Sequence, residues 1–185
     1  MNAVSTTFPR TSKKTLGYKI EQVDDFLAST RQAYDQGDAD KHLTAQEIRH
    51  TAFAMQKGGY SPQHVDAALE RLEDAFAARE RERAAATMGE KAWLDEARAT
   101  AQVLVERLGR PAGHRFDRTS ILSVGYSRAD VDRFANKLVK YFTDGFPITV
   151  DDVRTSVFRP QRGGYREAQV DVVMDSVVDV MLAVR

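Results

Sequence analysis

The side chains of this 185-residue chain that could do acid–base or metal chemistry are few, and their spacing decides how they read. Four histidines are present, His42, His50, His64 and His114, with no H-x-x-x-H spacing and no acid or nucleophile set beside them. Catalysis needs groups that converge on one reacting atom, so these read as surface or cap-adjacent residues and no catalytic residue is assigned. Asp35, Asp38 and Asp40 look superficially like a calcium loop, but its turn glycine and its terminal bidentate Glu are missing in every register. They read as an acidic linker between helices, and no metal site is assigned. Lys57-Gly58-Gly59 and Arg162-Gly163-Gly164 resemble phosphate-cradling loops only in their paired glycines. No strand is expected before them and no Gly-Lys-Ser/Thr follows, so they read as reversals between packed helices, with no cofactor and no nucleic acid expected.

The same glycines belong to a unit written four times. Gly17-Tyr18, Gly59-Tyr60, Gly125-Tyr126 and Gly164-Tyr165 are each followed, five residues after the Tyr, by a Val-Asp pair ending in Asp24, Asp66, Asp132 or Asp171. Phe8 and Phe116 stand nine residues before the first and third Gly, in FPRTSKKTLGY and FDRTSILSVGY; Phe53 and Phe158 stand six before the second and fourth. The order is A, B, A, B, and repetition marks units that pair to bury an apolar face. Each Tyr is expected to begin a helical apolar seam. Gly59 and Gly164 are expected at positive φ, which glycine adopts freely. The four aspartates are expected in the first turns of their helices, complementing the dipole or pairing with a basic residue of a neighbouring unit.

The elements that position these residues follow from periodicity. Ile20, Val23, Phe26, Leu27 and Tyr34 share a helical face over about Lys19 to Tyr34. Thr44-Ala45-Gln46-Glu47 and Thr149-Val150-Asp151-Asp152 are capping boxes, the second with Asp as the poorer partner, opening short helices. Ser61-Pro62 starts a helix carrying Val65, Leu69, Leu72 and Phe76, which should run to a break near Met88-Gly89. Glu90 to Leu108 is an amphipathic spacer with Trp93 and Leu94 on its apolar face, closed by Gly109-Arg110-Pro111. Ser127 caps a helix bearing Val131, Phe134 and Leu138, and the last, from Arg166 to Val184, carries a face wide enough to need cover on more than one side.

The B units, L/I-T-x-x-E/D-I/V-x-x-x-x-F-x-x-x-x-x-G-Y-x-x-x-x-V-D, resemble the N-terminal domain of the DivIVA family of bacterial cell-division and polar-growth proteins. The likeness extends over residues 8 to 86 and 114 to 185. It implies a short helix, a turn and a helix running into a parallel dimeric coiled coil, with a turn that touches membrane through an apolar wedge flanked by basic residues. The long coiled coil is missing here, since the helix after the second unit breaks near Gly89. By position the wedge falls on Lys57 and Arg162, which supply charge alone.

Composition agrees with a helical globular protein: 42% apolar and 29% charged residues, with 27 basic against 27 acidic side chains, leave no global field toward nucleic acid or membrane. No cysteine is present, which excludes disulfides and thiolate chemistry. The N-terminal MNAVSTTFPR has no signal-peptide core, so a cytoplasmic location is expected, with peripheral placement at septum or pole under the resemblance. The expectation is an all-α protein of two homologous halves, residues 1–88 and 114–185, joined by a spacer and linker at 89–113, each half a pair of units packed as a pseudo-dimer. The function expected is a compact non-enzymatic adaptor acting through protein partners, cell-division proteins among them, with homo-oligomerisation left open. Its rival is weak contact with anionic membrane through Lys13, Lys14, Lys57, Arg159 and Arg162. A small enzyme is the remaining alternative, and it lacks a constellation.

Overall fold

The computed structural model describes residues 8–36 and 43–184. Gly37, Asp38, Asp40 and His42 lie outside the described residues. The chain divides into two compact units, one up to Glu82 and one from Arg83. Its described part is mostly helical, with seven helices and four short strands.

The first unit runs β1 (Leu16–Tyr18), α1 (Ile20–Gln36), α2 (Ala45–Arg49), β2 (Met55–Lys57) and into α3 (Pro62–Met88). Both bonds of the α2 capping box form: Glu47 N donates to Thr44 Oγ1 at 3.1 Å, and Thr44 N donates to Glu47 Oε2 at 2.9 Å. Val23, Tyr60 and Val65 form one buried cluster and Ala45, Ile48 and Phe76 a second, and Leu69 of α3 packs against both. Beneath α2 the Arg49 guanidinium meets the buried Glu73 of α3 at 2.7 Å. Gly89, at φ 90°, separates α3 from the helix that follows.

The second unit contains α4 (Glu90–Leu108), β3 (Val124–Tyr126), α5 (Arg128–Asp144), α6 (Val150–Arg154), β4 (Pro160–Arg162) and α7 (Glu167–Ala183). Its capping box closes with Asp as completely as the first does with Glu: Asp152 N donates to Thr149 Oγ1 at 3.1 Å, and Thr149 N to Asp152 Oδ2 at 2.8 Å. The helix expected as a spacer, α4, packs against α5 and α7. Trp93 Nε1 donates to the Ala183 carbonyl at 3.2 Å, and Leu104 and Leu108 are buried, so the Trp93 face is engaged inside this unit. Both α4 and α6 pack on α7, whose Val170, Met174, Val177, Val178, Met181 and Leu182 are buried.

Strands are where the structure departs from the sequence reading. The glycine pairs are preceded by strands after all, β2 before Gly58-Gly59 and β4 before Gly163-Gly164. Each is antiparallel to the strand carrying the preceding Gly-Tyr, with Leu16 opposite Lys57 and Tyr18 opposite Met55, then Val124 opposite Arg162 and Tyr126 opposite Pro160. Three residues are too few to show the period-two alternation by which a strand is read. Among the described residues no helix is long and apolar enough to cross a membrane.

Candidate functional site

The four Gly-Tyr pairs meet two by two, first with second and third with fourth. Tyr18 N donates to the Tyr60 carbonyl and Tyr60 N to the Tyr18 carbonyl, both at 2.9 Å, and Tyr126 and Tyr165 exchange the same two bonds at 3.0 and 2.9 Å. At this crossing the backbones touch. A Cβ on Gly59 would lie 2.8 Å from the Gly17 carbonyl oxygen and one on Gly164 2.9 Å from the Gly125 carbonyl carbon, closer than real side chains approach. Positive φ therefore does not explain Gly59 and Gly164, contrary to expectation. It belongs to the preceding residues, Gly58 at 66° and Gly163 at 60°.

Around the crossing the contacts are exchanged between repeats. The Phe8 ring packs edge-on against Tyr60 at 5.4 Å and Phe53 against Tyr18 at 5.5 Å; Phe116 on Tyr165 and Phe158 on Tyr126 repeat this at 5.4 and 5.3 Å. The Tyr60 hydroxyl donates to Asp24 at 3.0 Å and Tyr165 to Asp132 at 2.9 Å. Tyr18 lies near enough to Asp66, and Tyr126 to Asp171, for each carboxylate to act on the phenol. Every phenol thus lies beside the aspartate of the other repeat in its pair, and Tyr60 and Tyr165 bind it.

This corrects two expectations. The aspartates are the fifth residues of α1, α3, α5 and α7, not first-turn residues, and the dipole's influence fades beyond that turn. What holds them is a tyrosine. The tyrosines, for their part, lie at the crossing ahead of the helices and begin no helical seam. Loss of water, followed by the adjoining carboxylate, raises the phenol pKa of Tyr18, Tyr126 and Tyr165.

In the second unit the clasp has an extra member that spacing did not reveal. Arg115 is buried with its Nε 3.7 Å from Asp132 Oδ1, and its backbone N donates to the Tyr165 hydroxyl at 3.4 Å. Asp132 also accepts from Gly113 N at 2.8 Å. Each group in this Tyr-Asp-Arg network has partners within the fold, so the network fixes the crossing to α5.

The crossings end in turns that gather the residues proposed as contacts. In the first unit Gly58 N donates to the Thr15 carbonyl at 3.0 Å, and a Cβ on Gly58 would lie 3.7 Å from the Lys13 Cα, so Lys13, Lys14 and Lys57 share one tip. Beside them Leu16 and Met55 are about half exposed. In the second unit Arg162 stands at the equivalent tip, where Ile121 and Leu122, at 82% and 83% exposure, replace the lysine pair. Arg159 does not join them, because it is bound through two nitrogens to Asp130 at 2.8 and 2.7 Å. That pairing holds the Asp130 carboxyl well below the usual range. Ile121 and Leu122 were missed although FPRTSKKTLGY and FDRTSILSVGY, set in register, put them against Lys13 and Lys14.

The remaining candidates stay apart. His64 Nδ1 lies 3.0 Å from Ser61 Oγ at the start of α3, exposed, while His50 ends α2 and His114 occupies the turn after α4. Asp35 is near Arg31 at 3.9 Å. Among the described residues no three His, Asp or Glu side chains form a group that could hold a metal ion. Comparison with known proteins finds no family model, no curated protein and no solved structure that matches this chain.

Proposed function

We propose that the protein is a non-enzymatic interaction module resembling the DivIVA family, an adaptor that holds protein partners in the cytoplasm near the division site or pole. In this reading each pair of repeats is a fused equivalent of a two-chain unit, and the Gly-Tyr crossing is its seam. The observation that carries the reading is reciprocity: Phe8 and Phe53 exchange tyrosines, and Tyr60 and Tyr18 each lie beside the other repeat's aspartate. Two copies of one surface facing each other across a two-fold axis make this kind of exchange. A binding role is supported by the tip, since neighbouring large apolar side chains as exposed as Ile121 and Leu122 mark contact surfaces. A photo-crosslinking residue in place of Leu122 should capture a defined set of proteins from a native extract, and Ile121→Ser should reduce the capture. Capture no greater than from the same probe at Val103, a 65% exposed position on α4, sinks the reading.

One observation favours a second reading, a peripheral binder of anionic membrane. Ile121 and Leu122 stand beside Arg162, and Lys13, Lys14 and Lys57 cluster at the other tip, so apolar and basic groups are both at hand for a lipid surface.

A further inference from the structure

A groove of about 550 Å³ lies in the second unit between α5 and the segment leading from α6 into β4. Phe134 and Phe158, with ring centroids 5.9 Å apart, give it an apolar lining, to which Val157 adds a side chain that is 91% exposed. Arg133, Lys137 and Arg159 also line it, together with Asp130 and Asp152. Both acids are already engaged. Asp130 accepts twice from Arg159, and Asp152 accepts from the amide and hydroxyl of Thr149 at 2.8 and 2.7 Å. Three cations against two acids leave the groove one net positive charge, shared between Arg133, 3.6 Å from Asp130 but 69% exposed, and Lys137, one turn further along α5 and near Asp152.

The first unit supplies an internal control. It has the same pair of rings, Phe26 and Phe53 at 5.7 Å, and the same capping box. At the corresponding positions it carries Asp25 for Arg133, Ser29 for Lys137, Ala52 for Val157 and Ala54 for Arg159. The fold is therefore built without the cations and without the exposed valine. Asp130, which stands where the first unit has Gln22, accounts for Arg159 but not for the exposed Val157 or the net positive charge. A large apolar side chain left in water beside net positive charge fits a ligand that covers one and neutralises the other.

We propose that this groove docks an acidic segment of a partner protein, which seats one large apolar side chain against Phe134, Val157 and Phe158 while its carboxylates meet Arg133 and Lys137. The inference rests on the interaction-module reading and names the chemistry of one partner.

The test titrates the full-length, isotope-labelled protein with a short synthetic peptide of glutamates around a single leucine, followed by amide chemical shifts. The expected result is movement of residues 133–137 and 156–159, about tenfold weaker for Arg133→Glu plus Lys137→Glu and unchanged for Lys13→Glu plus Lys14→Glu. The same peptide with lysines for glutamates should leave the groove unmoved, and alanine for leucine should weaken binding. An equal response to both charge signs, a response centred on the tips, no response at millimolar peptide, or a groove response to anionic vesicles in place of peptide overturns the proposal. Unfolding midpoints of the variants, whose changed side chains face solvent, separate lost binding from lost folding. If the interaction-module reading is what fails, capture through Leu122 disappears. If only the groove fails, that capture persists and residues 133–137 stay still.

Discussion

Gly17 and Gly59 press their α-carbons against each other's peptide groups, whereas a Cβ on Gly58, one residue away, would meet only an ordinary contact with the Lys13 Cα at 3.7 Å, but on a left-handed backbone at φ 66°. The two kinds of glycine should respond differently to a methyl group. Gly58→Ala should cost about 1 to 2 kcal/mol of backbone strain, while Gly17→Ala and Gly164→Ala must push two crossing segments apart and should cost about 3 kcal/mol or more, above ordinary overpacking. Urea unfolding that ranks them the other way round would disprove the close-contact account. The recurrence of Gly-Tyr was legible in the sequence, but its reason was not, because the atoms that forbid a Cβ come from a repeat some forty residues away. The tyrosines predict an alkaline limit. The phenol pKa values of Tyr18, Tyr126 and Tyr165 are raised by lost hydration and by Asp66, Asp171 and Asp132, so the unfolded chain ionises first, near about pH 10. Their contribution to stability is intact below that pH and is lost as pH rises through the folded values. Urea midpoints should fall above about pH 10, and Tyr126→Phe should flatten the fall.

At the scale of elements, helices were legible and strands were not. The expected bounds of α4, Glu90 to Leu108, coincide with the observed ones because a glycine break, a long apolar stripe and a glycine stop all lie within one stretch. Both capping boxes were legible for the same reason. β1 to β4 read LGY, MQK, VGY and PQR, without alternation, and exist because a distant strand pairs with them. Packing between helices gives the next predictions. Leu69 touches both clusters of the first unit but is only partly buried, so Leu69→Ala should cost about 2 kcal/mol, the low end for a core leucine. Arg49→Leu strips Glu73, 2% exposed, of its guanidinium and should cost about 3 to 5 kcal/mol. Arg49→Leu combined with Glu73→Leu should recover much of that loss, and a double variant no better than the single would show that the pair is not the unit of stability.

Across the whole molecule the charges balance, 27 against 27, so attraction to any partner is local. Each basic tip residue contributes about 1 kcal/mol at an anionic surface, and the attraction decays over roughly 8 Å at physiological salt. The lysine tip alone should give weak sedimentation with anionic vesicles at low salt and none at physiological salt. Insertion of Ile121 and Leu122 adds a contribution that salt does not screen. Retention at physiological salt that is lost on Ile121→Ser plus Leu122→Ser would favour the membrane reading, while retention that survives those changes would exclude this tip as the lipid contact.

The crossing also has a kinetic consequence. Neither strand of a pair has its partner nearby in the chain: Gly17 must find Gly59 across α1 and α2, and Gly125 must find Gly164 across α5 and α6. Helices form in about a microsecond, but a contact of this separation waits on closure of the intervening chain. Refolding should therefore show helical circular dichroism early, with burial of the clasp tyrosines in a later and slower phase. Gly17→Ala should slow that phase if the crossing forms in the transition state, and hasten unfolding alone if it forms afterwards.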